Sequence, residues 1–477
     1  MPAAEMAAAI RARRLSPVEA LEAVLAQIER VNPAVNAIVT VAADRAREDA
    51  RAAEAAVMRQ RPLGPLHGVP VSIKDLTPTA GIRTTFGSLA FADHVPAEDA
   101  LIVERLRTAG TIILGKTNTP EMGAGANTKN RVFGPTRNPW KPTHTCGGSS
   151  GGAAVALATG MGPLAQGSDT GGSLRIPASF CGVVGFRTSP GVVPAYPTPL
   201  PWDPLSVPGP MARTVLDTAL MLSVIAGPDP RAPMSLPVEP ERWLEAARAP
   251  DRRTDRTGER REGRVAWSPD LGLIPVDPEV AQIAGAAARV FQELGCTIDE
   301  ASPDFTGARE IIQTTRAARM ATVYAHLLPK WRDEMFPPLV RNIEQGLGIT
   351  ARQWGQAEVA RTALWHRVRT FFDAYDLLMT PTVAIPPFPV ELDSPPEING
   401  RRMETYIDWL MLTYAITITG LPAISVPAGW TADGLPIGLQ IVGGWRQEDA
   451  VLRAAAAFEA ARPWAGRRPP LASPAAS

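Results

Sequence analysis

Apolar positions follow two different patterns along this chain. Residues 69–74 and 111–115 are short, nearly continuous apolar runs, which are typical of buried strands. Residues 42–60 and 278–295 instead repeat small and apolar side chains at helical spacing between charged ones. Strands that alternate with helices are typical of a sheet that is at least partly parallel. The pattern therefore predicts a fold of the α/β class.

Further elements follow from capping signals and from the same periodicities. Ser16 to Glu19 form a capping box that begins a helix ending near residue 31, and Thr214 caps a helix that ends near residue 226. The remaining predicted strands are 36–41, 162–166, 181–186, 265–268, 377–380, 423–426 and 437–442. The remaining predicted helices are 100–109, 153–159, 310–326, 352–375 and 448–461.

The composition changes in the middle of the chain. From residue 117 to residue 191, glycine, serine, threonine and proline are abundant, but apolar segments are embedded among them. This mixture predicts loops that form a site on a rigid sheet rather than a flexible linker. Residues 228–264 combine prolines with a charged run and predict a surface excursion. The helical region at about 303–360 is expected to form a variable lip beside a substrate.

Charge and cysteine content exclude several classes of protein. The chain has 48 basic and 48 acidic residues, so its net charge gives no indication of binding to nucleic acid or to an anionic membrane. Its three cysteines lack disulfide or metal-ligand spacing, as expected in a reducing compartment. The first residues lack the features of a secretion signal, and glycines and prolines interrupt the uncharged stretch 409–432. We therefore predict a cytoplasmic protein without a membrane span.

Two glycine loops that carry serines are the candidate chemistry. Residues 147–152 read GGSSGG and residues 169–173 read DTGGS, and glycine allows the backbone to approach a ligand closely. Upstream of both loops, Lys74 ends an apolar run in a chain that has only five lysines. Because burial disfavours the charged form of an amine, a buried lysine can activate a serine without help from histidine.

These segments together resemble the amidase signature family of serine hydrolases. The matching segments are 68–75 (GVPVSIKD), 147–152 (GGSSGG), 167–178 (GSDTGGSLRIPA), 419–427 (TGLPAISVP) and 435–440 (LPIGLQ). The resemblance extends from about residue 20 to about residue 460 and is weakest at 228–265 and 303–350. It implies one large domain over residues 1–477, with a mixed central sheet that helices cover on both faces.

The resemblance also implies a role for each matching residue. Ser173 would be the nucleophile, Ser149 the bridging serine that follows a cis peptide bond, and Lys74 the base. The oxyanion hole would use the backbone N–H groups of Thr170, Gly171, Gly172 and Ser173. The carbonyl side of the pocket would be lined by Met122, Gly123 and Gly125. Cys146, which adjoins the first serine loop and has no evident histidine partner, is expected to pack or to form part of the pocket wall. The loops would be held through hydrogen bonds by Asp75, Ser150, Asp169 and Arg175.

Residue chemistry supports a hydrolase with these roles. A neutral Lys74 would take a proton from Ser149 while Ser149 takes one from Ser173, which attacks a carbonyl carbon. We expect hydrolysis of an amide, an anilide or a carbamate (urethane), and also of esters, through an acyl-serine that water cleaves. The expected partners are this small substrate and water, without a metal or organic cofactor, in a monomer or a homodimer. Candidates for an apolar pocket are Trp202, Trp331, Met335, Trp354 and Tyr406.

Three other interpretations remain open. Residues 147–151 match the nucleophile elbow of α/β-hydrolases, with Ser149 as nucleophile and His326 or His366 as base, although residues 140–145 are too polar for the preceding strand. Residues 110–117 match the P-loop string, although the positions between its glycines are typical of a strand. A glutamine-hydrolysing amidotransferase subunit belongs to the resembled family, and the segment GFRTSPG at 185–191 disfavours it.

Overall fold

One mixed sheet organises the computed structural model, which describes residues 1–249 and 263–472. Within these residues the sheet has eleven strands. Strands β1–β11 span Ile38–Val41, Pro70–Lys74, Ile112–Thr117, Leu164–Asp169, Val184–Arg187, Val207–Ala212, Gly263–Trp267, Cys296–Glu300, Leu377–Pro381, Ala423–Trp430 and Pro436–Gly443. Their order across the sheet is β1-β3-β2-β4-β6-β5-β10-β11-β9-β7-β8.

In the described residues, side-chain caps begin four of the fifteen helices, those that start at Pro17, Val215, Pro278 and Ala351. Helices α1–α15 span Ala3–Arg11, Pro17–Val35, Ala43–Met58, Leu101–Thr108, Gly151–Ala158, Arg175–Cys181, Val215–Ile225, Pro240–Arg248, Pro278–Glu293, Ala308–Tyr324, Leu328–Trp331, Pro337–Leu347, Ala351–Phe371, Met411–Thr419 and Glu448–Ala461. The predicted capping box is present, since the Ser16 side chain accepts from the N–H groups of Val18 and Glu19 and the Glu19 carboxylate accepts from the Ser16 N–H.

Helices cover both faces of the sheet. In β3, Ile113 packs in one apolar cluster with residues of α1, α4, α7 and α15, whereas Ile112 and Leu114 pack in a second cluster with α2, α3 and α5. Alternate residues of a strand point to opposite faces, so each face has its own core. The predicted α/β class, with a mixed sheet and helices on both faces, is confirmed.

The site is positioned where parallel strands end together. Strand β2 pairs in parallel with β3 on one side and with β4 on the other. Ile73 is opposite Gln166, so Lys74 and the last residues of β4 lie at the same edge of the sheet. The carboxyl ends of parallel strands are a usual position for ligand sites in α/β folds.

Several elements differ from the sequence predictions. The predicted strand 181–186 is the end of α6 followed by β5, and β6 was not predicted because Pro208 and Pro210 interrupt its apolar pattern. In the predicted surface excursion, α8 buries Trp243 and Ala246 against the core. The charged run at 251–256 lies outside the described residues.

Among the helices at 1–249 and 263–472, none has both the length and the apolar composition that crossing a membrane requires.

Candidate active site

Lys74 is the centre of a cluster of serine hydroxyl groups. Its side chain is fully buried at the end of β2. The Nζ atom donates to Ser149 Oγ at 2.7 Å, to Ser150 Oγ at 2.9 Å and to Ser168 Oγ at 3.1 Å. Ser150, which we expected only to support a loop, therefore contacts the amine directly. Ser168 was not predicted. Two signals would have indicated it: it directly precedes Asp169 in the segment 167–178, and it lies on β4, which pairs in parallel with the strand that carries Lys74.

Burial changes the protonation of this amine. Removal from water lowers the pKa of Lys74 to about 7, against a smaller opposing effect of Asp169. A large fraction of the lysine is therefore neutral near pH 7, and a neutral amine is able to accept a proton from a hydroxyl group. This arrangement has the chemistry of a general base that needs no histidine.

The first serine loop, residues 147–152, has a compact backbone that leads into α5. The Gly148–Ser149 peptide bond is cis, as the resemblance implied. A Cβ atom at Gly151 would lie 2.2 Å from Thr128 Oγ1 and 2.6 Å from Cys146 Sγ, so only glycine fits there. Ser149 lies in the wall of a cavity, with only 3% of the residue exposed.

The second loop, residues 169–173, lies beside the first. Ser150 N–H donates to the carbonyl oxygen of Ser173 at 3.2 Å, and both Ser149 and Ser173 line the same cavity. Within the described part of the chain, the hydroxyl groups of Ser149 and Ser173 share no direct hydrogen bond. Serines in catalytic sites often move into hydrogen-bonding distance only when substrate binds.

The predicted oxyanion donors are only partly available. Gly172 N–H donates to Asp169 Oδ1 at 2.8 Å, so this group is engaged inside the protein and the prediction for it was wrong. Among the described residues, the N–H groups of Gly171 and Ser173 have no acceptor, and both residues line the cavity together with Thr170. The remaining donors are therefore those of Thr170, Gly171 and Ser173.

Asp169 holds the second loop through a buried ion cluster. Its carboxylate accepts from Arg175 Nη2 at 3.0 Å and from Arg187 Nη1 at 3.2 Å, and all three side chains are fully buried. Burial alone would raise the pKa of Asp169, but the charges of Arg175 and Arg187 outweigh it and lower this pKa below its usual range. Loop support was predicted for Asp169 and Arg175 but not for Arg187.

Two other predicted residues have different surroundings. Asp75 accepts from the Thr85 N–H at 3.1 Å and from Thr85 Oγ1 at 2.5 Å, so it holds that loop rather than a serine loop. Cys146 does not line the cavity, so of its two expected roles the structure shows packing and not pocket wall. Its side chain is fully buried behind the loop with Sγ 3.4 Å from the Thr136 carbonyl oxygen, and burial raises the pKa of the thiol to about 12.

A cavity of about 680 Å³ contains both serine loops. Met122, Gly123 and Gly125 line it as predicted, and a Cβ atom at Gly123 would lie 3.4 Å from Ser149 Oγ. The five predicted pocket residues Trp202, Trp331, Met335, Trp354 and Tyr406 are not among those that line it. Its aromatic residues are instead Phe86, Phe91, Tyr196, Tyr324 and Tyr414, which tertiary contacts bring together.

The geometry disfavours two of the alternatives. Ser149 hydrogen bonds to a lysine, whereas His366 is exposed on α13 and His326, which lines the cavity, makes no hydrogen bond to Ser149 in the part of the chain that is described. The P-loop string forms strand β3, and its Lys116 is buried and donates to the Thr77 carbonyl oxygen and to Thr79 Oγ1. Neither a nucleophile elbow nor a phosphate-binding loop is therefore present at these positions.

Gly171 offers a direct test of the loop geometry. An added Cβ atom would lie 2.2 Å from Tyr414 Cζ, so Gly171→Ala should displace the loop and lower kcat/KM on the order of 100-fold. Steady-state kinetics with a nitroanilide would measure this loss. The matched control is Gly355→Ala, where an added Cβ atom meets nothing within 4 Å. Equal kcat/KM values for the two folded variants would contradict the proposed loop packing.

This combination of fold and site is that of an amidase-type hydrolase of carbon–nitrogen bonds. Known proteins that resemble the chain belong to the same class. The family model Amidase matches residues 19–452. An acylamidase of Rhodococcus erythropolis is 42% identical over 98% of this chain and 97% of its own length. The A subunit of a glutamyl-tRNA(Gln) amidotransferase from Moorella thermoacetica is 37% identical over 99% of this chain and 98% of its own length.

Solved structures agree with the sequence matches. A bacterial aryl acylamidase of the amidase signature family superposes with a TM-score of 0.89 and 34% identity, covering 97% of this chain and 96% of its own. A 6-aminohexanoate cyclic dimer hydrolase in complex with substrate superposes with a TM-score of 0.87 and 30% identity, covering 99% of both chains. This chain belongs to the amidase signature family.

Proposed function

We propose that this protein hydrolyses amides, anilides or carbamates through an acyl-serine formed on Ser173. The observation that carries the proposal is the 2.7 Å hydrogen bond between the buried Lys74 Nζ and Ser149 Oγ. Burial of this lysine, which lowers its pKa to about 7, makes it suitable as a base at neutral pH. In the proposed relay, Ser149 transfers protons between Lys74 and Ser173, and both serines line the same cavity.

The proposed reaction begins with two proton transfers. Neutral Lys74 accepts the Ser149 proton, Ser149 accepts the Ser173 proton, and Ser173 Oγ attacks the carbonyl carbon. The N–H groups of Gly171 and Ser173 stabilise the oxyanion, and one such donor is typically worth about 3 kcal/mol of the barrier. Ser149 gives its proton to the departing nitrogen as the C–N bond breaks, and Lys74 returns its proton to Ser149. Water then gives a proton to Lys74 through Ser149 as it attacks the carbonyl carbon of the acyl-serine, and Ser173 Oγ takes that proton back as its ester bond breaks.

Features of the cavity favour an amide with an apolar portion. Phe86, Phe91, Tyr324 and Tyr414 offer aromatic contacts in a space large enough for a drug-sized ligand. The relatives named acylamidase and aryl acylamidase support an N-aryl amide as the first substrate to assay. Carbamates and esters present the same carbonyl group to the nucleophile and belong in the same assay panel.

A covalent probe tests the proposed nucleophile. A fluorophosphonate should modify Ser173 and thereby stop the turnover of a nitroanilide. Peptide mass spectrometry should find one adduct, at this position. Ser223→Ala provides a matched control, because Ser223 lies on α7 with its hydroxyl bonded to the Leu220 carbonyl oxygen. An adduct on Ser149, or unchanged labelling of the Ser173→Ala variant, would contradict the assignment.

A second candidate is a subunit that releases ammonia from glutamine for a partner. It is favoured by the 37% identity to the amidotransferase subunit over nearly the whole chain. We prefer the independent hydrolase because the segment 185–191 departs from the pattern expected for that subunit, and its Arg187 is buried against Asp169. Release of ammonia from glutamine, together with a protein that copurifies, would reverse this preference.

A further inference from the structure

Arg316 is a buried cation in the wall of the cavity that contains Ser173. It lies on α10, with only 3% of the residue exposed. Its Nε donates to the Tyr414 hydroxyl at 2.9 Å and its Nη1 donates to the side-chain oxygen of Asn342. The guanidinium carbon also lies 5.1 Å from the centre of the Tyr406 ring. None of these three partners is a carboxylate.

The other charges of the cavity do not neutralise Arg316. Among the described residues that line the cavity, Asp203 is the one carboxylic acid, and it pairs with Arg319 at 2.5 Å. Arg316 forms no ion pair within the described part of the chain. A guanidinium remains protonated at every physiological pH, and a buried charge without a counter-charge is costly. The cavity therefore carries an uncompensated positive charge.

This charge is close to the reacting groups. The ring of Tyr414 lies against Gly171, since a Cβ atom there would be 2.2 Å from Tyr414 Cζ. The hydroxyl of the same ring accepts the hydrogen bond from Arg316. The guanidinium is thus one phenol ring away from the N–H groups that are proposed to hold the oxyanion. A substrate whose carbonyl is at Ser173 would extend a short chain toward Arg316.

We propose that Arg316 binds a carboxylate on the acyl portion of the substrate. This inference rests on the proposed function and narrows it to amides and anilides whose acyl chain ends in a carboxylate, such as monoamides of short dicarboxylic acids. A guanidinium and a carboxylate form charge-assisted hydrogen bonds that are about twice as strong as neutral ones. The apolar aromatic part of the cavity then receives the amine portion.

Matched nitroanilides test the proposal. The wild-type enzyme should hydrolyse succinyl or glutaryl 4-nitroanilide with a kcat/KM roughly 30-fold above that of butyryl 4-nitroanilide, because a buried charge gains its partner. In Arg316→Gln this ratio should fall close to one. Asn342→Asp should have the same effect without removing the arginine, because the new carboxylate would neutralise it.

The control variant is Arg309→Gln on the same helix. Arg309 pairs with Glu404 and Asp408 and does not line the cavity, so the substrate ratio should remain that of the wild type. A wild-type enzyme without preference for the acidic anilides would overturn the proposal, as would equal losses on both substrates in Arg316→Gln. Failure of the proposed function itself gives a different result, namely hydrolysis that persists in Ser173→Ala or no hydrolysis of any anilide.

Discussion

Ser173→Ala should reduce the hydrolysis of a nitroanilide on the order of 10⁴-fold or more, which is the scale of loss when a nucleophilic serine is removed. The loss should appear in kcat, because the hydroxyl forms its covalent bond after the substrate has bound. Thermal unfolding should change little, because Ser173 is only partly buried at the cavity surface and its backbone carbonyl still accepts from Ser150. Single-turnover kinetics and a melting curve would measure the two quantities.

Ser223→Ala is the matched control for this loss. Ser223 is half-buried on α7, outside the cavity, and its variant should retain wild-type kcat. The elbow interpretation makes the opposite prediction for position 173, because it assigns the nucleophile to Ser149. Activity that survives Ser173→Ala and disappears in Ser149→Ala would therefore favour that interpretation and reject ours.

Lys74→Met should lower kcat/KM by about 10³-fold at pH 7, within the usual range for loss of a general base. The wild-type pH profile should identify the same group. Because the neutral amine is the active form and its pKa is about 7, kcat/KM should rise as the pH increases through 7 and reach a plateau above it. The variant should lack this rise and recover part of its rate at high pH, where hydroxide replaces the base.

Lys116→Met is a close control, because this lysine is also fully buried and burial also lowers its pKa to about 7. It donates to Thr77 and Thr79 rather than to a serine of the site, so the rise near pH 7 should persist in this variant. If the rise near pH 7 disappeared in Lys116→Met and persisted in Lys74→Met, the titrating group would be Lys116 and not Lys74. Lys74 would then not be the base.

Several parts of the site could be predicted because their signals are local. A lysine that ends an apolar run is predicted to lie at the end of an interior strand, and glycines on both sides of a serine indicate close backbone contacts. These signals led to Lys74, Ser149 and Ser173, and the structure brings their loops to one cavity. The capping box of α2 and the α/β class were also local or periodic signals, and both are confirmed.

Errors arose where a residue's surroundings come from distant parts of the chain. Cys146 adjoins the first serine loop, but its side chain turns toward Gly151 and Thr136 rather than the cavity. Gly172 precedes Ser173 in the chain, but its N–H group donates to the carboxylate of Asp169. In β6, prolines at alternate positions hid a strand that the neighbouring strands β4 and β5 nevertheless pair with.

The amino-acid sequence by itself determined the order of strands and helices, the family and the serines and lysine that carry the candidate chemistry, because backbone conformation and apolar periodicity depend on near neighbours. The tertiary structure alone decided which of these groups are free to react. It buried Lys74 enough to lower its pKa, placed Arg187 beside Asp169, and brought Tyr414 against Gly171 and Arg316 against Tyr414. Burial and charge depend on residues hundreds of positions apart, and only packing brings those residues together.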